Sequence, residues 1–257
     1  MNDNTFIRIY NRVDGFLKFP NLKKSEIGIQ VGFDLSSENL TTDVIKMYTR
    51  TGQEGLIIAI DPDPLNHEKL KGLITSRNLS IKTVQKGTYS HQTIEKLILG
   101  TRSSYNKLES IKGDPSPSYT DQYLEVDLDT LDNIIAELNI DYSKIRHINI
   151  SNNGAEYHTL LGMEEIFRKC HNLNLTVISG RPFQLGQIND RRDYDVVIDH
   201  LTNLGFTCKY INMKNSIWWG FVNKLLIKRT WIYNKPVFGI IMAYRGDRKL
   251  KFYQSFS

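Results

Sequence analysis

Long apolar runs are missing from this chain, and with them the simplest route into a membrane. No stretch approaches the roughly 18 uninterrupted apolar residues that a spanning helix needs. The opening "MNDNTFIRIYNRVDG" has no apolar centre of the kind a secretory signal requires. Cysteine is scarce: Cys170 and Cys208 are the two in 257 residues, far apart and without metal spacing. They read as free, buried thiols, which fits a reducing, cytoplasmic setting. A strong charge of one sign is also lacking. The net +5 permits an acidic partner and requires none. No internal repeat is visible.

What is present is a core-forming composition, 40% hydrophobic, in an alternation of short apolar runs and amphipathic stretches. Residues 26–32 ("EIGIQVG"), 55–61 ("GLIIAID"), 80–87 ("SIKTVQKG"), 145–151 ("IRHINIS") and 174–180 ("NLTVISG") are predicted strands. "FTCKYINM" and "PVFGIIMAYRG" add two more. Helices are predicted from about Ser37, after Asp63 with Pro64 in the first turn, over 90–100, over 130–140, over 156–170 and over 193–205. The polar segment 101–122 reads as a long loop, a length that is usually functional or disordered inside a compact domain. Alternating strands and helices predict an α/β fold, a parallel sheet with helices on both faces. Residues 1–25 read as an N-terminal extension and 26–257 as a single domain.

Two strand ends carry a binding signature. "IQVGFDLSS" puts Gly32 directly after a buried strand and before a helix, where a ligand approaches the backbone. "IIAIDPDP" puts Asp61 at the tip of the next strand, 29 residues on, placed to accept both ribose hydroxyls of a nucleoside. An N-cap is the competing role for Asp61, but Asp63 fits that role better.

These two segments, followed by "LDTLDNII" and "INISNNGAEYHTLLG", resemble the FkbM-type S-adenosylmethionine-dependent methyltransferases over about residues 26–180. The family pattern runs roughly "vDVGAnxG", "EPnP", "tLD" and "KIDvEGaE". "TLD" at 130–132 and "GAE" at 154–156 match it letter for letter. The resemblance implies a Rossmann-like, mostly parallel seven-stranded sheet whose last strand is antiparallel. It also implies methyl transfer to an oxygen of a sugar or other small polar acceptor, with S-adenosyl-L-methionine as cofactor. The cofactor set is then Gln30, Gly32, Asp34, Ser36 and Asp61, with Tyr89 after the third strand.

The chain departs from that pattern at three acids, which are Gln30, Ser151 and Asn153 here. The Gln30 carbonyl is able to bond the methionine amine of the cofactor. Ser151 and Asn153 make a poor set for a hard divalent cation, so no metal is expected. The sulfonium is already activated, so the protein's tasks are alignment and proton removal. Ser151, Asn153, Glu156 and His158 form the expected catalytic turn, with His158 or Glu156 as base and His91 a weaker candidate. Asn152 and Arg181 are expected to hold the acceptor.

The segment at about 215–236 mixes Trp218, Trp219, Phe221, Trp231 and Tyr233 with four cations, and residues 209–251 hold ten Lys or Arg against Asp247 alone. Such a mixture suits sugar stacking, with Trp218 and Trp219 as acceptor contacts, or an anionic membrane surface bearing a lipid-linked glycan. A β-hairpin packed on the domain explains it equally well. The leading reading is a cytoplasmic O-methyltransferase acting on a glycan or glycan precursor. A nucleic-acid methyltransferase and a non-catalytic binding protein of the same fold are the alternatives.

Overall fold

The computed structural model of the chain describes residues 11–12, 15, 18–35, 42–111, 119–179, 187–188, 191–212 and 239–246. Its elements run β1 (Ile27–Val31), α1 (Asp43–Thr51), β2 (Leu56–Ile60), α2 (Pro64–Arg77), β3 (Ile81–Val84), β4 (Gly87–Thr88), β5 (Thr93–Gly100), β6 (Lys107–Leu108), β7 (Tyr119–Asp129) and α3 (Leu131–Glu137). They continue with β8 (Ile145–Ile150), α4 (Glu156–Leu161), α5 (Glu164–Lys169), β9 (Leu173–Ser179), β10 (Gln187–Ile188), β11 (Arg191–Arg192), α6 (Asp193–Asn203), β12 (Thr207–Asn212) and β13 (Gly239–Arg245).

The main sheet has seven strands in the order β12-β13-β9-β8-β1-β2-β3. The pairs among β9, β8, β1, β2 and β3 are parallel, and β13 runs antiparallel to both of its neighbours. This is the Rossmann-like sheet with an antiparallel last strand that the resemblance implies. The chain leaves β1 toward β2 and β3, then returns to the other side of β1 with β8. That reversal opens a crevice beyond the carboxyl ends of β1 and β8.

Alternation along the central strands sends side chains to two cores. Ile29, Val31, Ile58, Ile60, Ile148 and Ile150 face the layer that contains α3 to α6. Ile57 and Ala59 face the other layer, with Val44 and Met47 of α1 and Leu70 of α2. Phe19 and Leu22, from the segment before β1, are fully buried in that second core. Among the described residues no helix is long and apolar enough to cross a membrane.

Four sequence expectations are corrected. The stretch 90–100 is not a helix: Thr93–Gly100 is strand β5 and pairs antiparallel with β7. The apolar spacing of Ile94, Leu97 and Ile98 suits either period, and the partner strand decides it. The supposed loop 101–122 holds β6 and the start of β7, and a second sheet of order β4-β7-β5-β6 results. Residues 156–170 form two short helices: Gly162 ends the first as its C-cap and lies so close to the Tyr89 carbonyl that a Cβ would overlap it. Helix α1 begins at Asp43, where Thr42 caps it by accepting the Val44 N–H at 3.1 Å, and not near Ser37.

Candidate active site

The tips of β1, β2 and β8 meet in one cleft of about 740 Å³, counting its open mouth. Gly32, Asp34, Asp61, Ser151, Asn152 and Asn153 all line it. Gly32 sits at φ +70°, donates its N–H to the Ile60 carbonyl at 2.8 Å, and backs so closely on the Ser151 carbonyl that a Cβ would overlap it. Glycine is required here by both conformation and space.

Asp61 extends from β2. Its Oδ2 accepts the Phe33 N–H at 3.0 Å, and its Oδ1 accepts the Asp63 N–H at 2.9 Å and the Asn66 amide at 3.3 Å. Burial pushes the carboxyl up to about 7 against the pull of those neutral donors. Asp63 takes the cap of α2 by accepting the Leu65 N–H at 2.8 Å, which leaves Asp61 facing the cleft. Asn66 is a site residue that sequence reasoning missed. It accepts the Leu35 N–H at 3.1 Å and donates to the Phe33 carbonyl at 2.8 Å, so it fixes the loop after β1. A polar residue on the buried face of α2 was the available signal.

The turn after β8 is built from side-chain amides. Asn152 donates to Thr159 Oγ1 at 2.8 Å and Thr88 Oγ1 at 3.3 Å, while its buried Oδ1 has no partner among the described residues. Asn153 sits at φ +55° and donates to the carbonyls of Ser104 and Asn106 at 2.9 and 2.8 Å. Glu156 is buried and accepts the Gly154 N–H at 2.7 Å. His158 stacks on Tyr89 with ring centroids 4.5 Å apart, and burial lowers its pKa. His91 packs edge-on against the same Tyr89 ring at 5.3 Å. Glu156, His158, Tyr89 and His91 are outside the cleft lining among the described residues.

Gln30 also sits outside the lining, within β1. Its amide donates to the Gly32 carbonyl at 2.6 Å and its carbonyl accepts the Asn149 amide at 2.7 Å. Asn149 continues to Asp43, whose carboxyl the ammonium groups of Lys18 and Lys46 hold well below the usual range, although burial opposes this. The "TLD" segment is architectural: Thr130 caps α3, and Asp132 accepts the Glu165 and Ile166 N–H groups at 2.7 and 2.9 Å to cap α5. Ser36, Arg181, Trp218 and Trp219 lie outside the described residues.

The fourth wall comes from the second sheet. Ser103, Ser104, Asn106, Lys107 and Leu108 line the cleft, and Lys107 is 1% exposed. Ser103 Oγ donates to Asp34 at 2.7 Å, and the Asn106 amide donates to Asp63 at 2.9 Å. Among the described residues no group of three or more His, Cys, Asp or Glu is placed to hold a metal ion.

The residues fit a nucleoside cofactor. Asp61 is a desolvated carboxylate whose described partners are neutral donors, and Oδ2, with one described donor, has room for a ribose hydroxyl.

The Methyltransferase FkbM domain matches residues 26–208, more than half of the chain. No curated protein matches in sequence. A SAM-dependent methyltransferase from Aquifex aeolicus is 12% identical, with a TM-score of 0.44 over 96% of this chain and 100% of that one. Aeropyrum pernix fibrillarin, with natively bound S-adenosyl-L-methionine, is 9% identical, with a TM-score of 0.46 over 92% of this chain and 74% of that one. At these scores the likeness says nothing of what the chain acts on.

Proposed function

The chain belongs to the FkbM methyltransferase family, and from that premise we propose that it methylates a hydroxyl oxygen of a sugar or glycan precursor, with S-adenosylmethionine as donor. The observation that carries this reading is one cleft lined both by Asp61 and by the uncharged turn Ser151–Asn152–Asn153. The carboxylate suits a ribose diol. The turn offers donors and acceptors without charge, which suits a polyhydroxylated acceptor.

When bound, S-adenosylmethionine supplies a methyl carbon activated by its sulfonium. The chain's share is placement. Asp61 would accept a hydrogen bond from the ribose, and Gly32 would let the cofactor come close to the backbone. Ser151 Oγ and the unpartnered Asn152 Oδ1 bond the acceptor's hydroxyl groups and hold the reacting oxygen in line. Positioning of this kind can supply about 7–11 kcal/mol of a barrier. Asp34 and Asp61 are the acids in the described lining. With Asp61 committed to ribose, Asp34 takes the proton that the hydroxyl loses as the carbon–oxygen bond forms. The basic, aromatic segment at about 215–236, outside the described residues, holds the glycan or an anionic surface that bears it.

Incubation with methyl-tritiated S-adenosylmethionine and a panel of free and nucleotide-linked sugars tests the acceptor class. The expected result is label in the sugar fraction that survives mild alkali, as an ether does. Label that alkali releases as methanol, or label found in added RNA with none in sugars, contradicts it.

A further inference from the structure

Residues 101–108, the link from β5 into β6 together with β6 itself, form a strap that lines the cleft and is fastened to all three strand-tip loops. Ser103 Oγ bonds Asp34 after β1 and, at 3.3 Å, Asn66. The Asn106 amide bonds Asp63 after β2. After β8, Asn153 donates both amide hydrogens to the strap's own carbonyls, those of Ser104 and Asn106. We infer that Asn153 is a positioning residue: its side-chain amide latches this strap as a wall of the cofactor cleft.

The chemistry at 153 is specific. The two groups its amide nitrogen faces are carbonyl oxygens, which only accept, so the atom opposite must donate twice. An amide does so. A carboxylate of the same shape has no hydrogen to give, and its charge would face two carbonyl dipoles at about 2.8 Å. Asn also tolerates the left-handed φ of +55° found here. The acid that the resemblance leads one to expect at this position would therefore open the strap. Asn at this position holds the wall that carries Ser103, Ser104 and Lys107 into the cleft.

The inference uses the cofactor reading only in naming what the wall encloses, so its first test needs no cofactor. Amide hydrogen exchange is followed at pH 7 in the ligand-free protein and in Asn153→Asp, which keeps the side-chain shape. Loss of two hydrogen bonds predicts exchange at 101–108 faster by on the order of tenfold or more, with β1 and β8 unchanged. Asn153→Gly, which accepts the positive φ, is measured beside it and should give the same local acceleration even if the charge of the Asp variant unfolds the chain. S-adenosylhomocysteine should then dissociate faster from both variants, and adding Asn106→Ala should cost little more, because both act on one strap. Unchanged exchange at 101–108 in folded Asn153→Asp or Asn153→Gly overturns the latch. Accelerated exchange with wild-type dissociation of the homocysteine compound also overturns it, as a wall of the cofactor site.

Discussion

Asp61 accepts the backbone N–H of Phe33 at 3.0 Å, and this bond ties the tip of β2 to the loop after β1. It holds a buried carboxylate, with a pKa pushed up to about 7, in the lining of the cleft. Ribose hydroxyls donate hydrogen bonds, so binding favours the ionised form. Affinity for S-adenosylhomocysteine should therefore fall as the pH drops below 7, by at most about tenfold per unit, and level off above it. Asp61→Asn should abolish this slope over the same range. A slope that survives in the variant assigns the titration to another group.

Asp43 is enclosed with Lys18 and Lys46, at 3.0 and 3.1 Å. Asp43→Asn leaves two partly buried cations without their carboxylate and should cost about 3–5 kcal/mol in denaturant unfolding at pH 7. The Asp43 pKa is depressed in the fold, so this stability is present above the ordinary value of 3.8 and is lost as the pH falls through the folded value. The gap between the variant and the wild type should therefore narrow below pH 3.8.

Asp132 is the acid of the "TLD" match, yet it caps α5 through two backbone N–H groups. Asp132→Ala should lower stability by about 0.5–2 kcal/mol, the scale of a lost cap. Affinity for S-adenosylhomocysteine should stay at the wild-type value. A lost affinity in a stable variant would give Asp132 a direct role.

Methyl transfer should proceed without a divalent ion. Ser151 and Asn153 offer no carboxylate, and the Asn153 amide nitrogen faces two carbonyls. Excess chelator should leave the rate of label transfer nearly unchanged. A rate that collapses and returns with magnesium points to ligands outside this turn.

The main sheet was legible because buried strands announce themselves as short apolar runs, and the Gly32 and Asp61 signals survive in a single sequence. The second sheet was not read, although Leu124, Val126 and Leu128 alternate along β7 in a plain two-residue period. The helical reading of 90–100 removed their partner, and with it the wall carrying Ser103, Asn106 and Lys107. The roles of the turn were also hidden. Whether His158 meets the cleft or the Tyr89 ring depends on which way a six-residue helix faces, and Tyr89 lies almost seventy residues earlier in the chain. Asn153 looked like a lost acid because the carbonyls it serves lie almost fifty residues earlier in the chain.

Calorimetric titration of S-adenosylhomocysteine into the wild type and Asp61→Ala tests the central claim, a cofactor cleft organised by Asp61, most directly. The account predicts one site per chain in the wild type and affinity weaker by about 1.5–3 kcal/mol in the variant, with circular dichroism unchanged. No binding to the wild type, or equal affinities in two folded proteins, would contradict it.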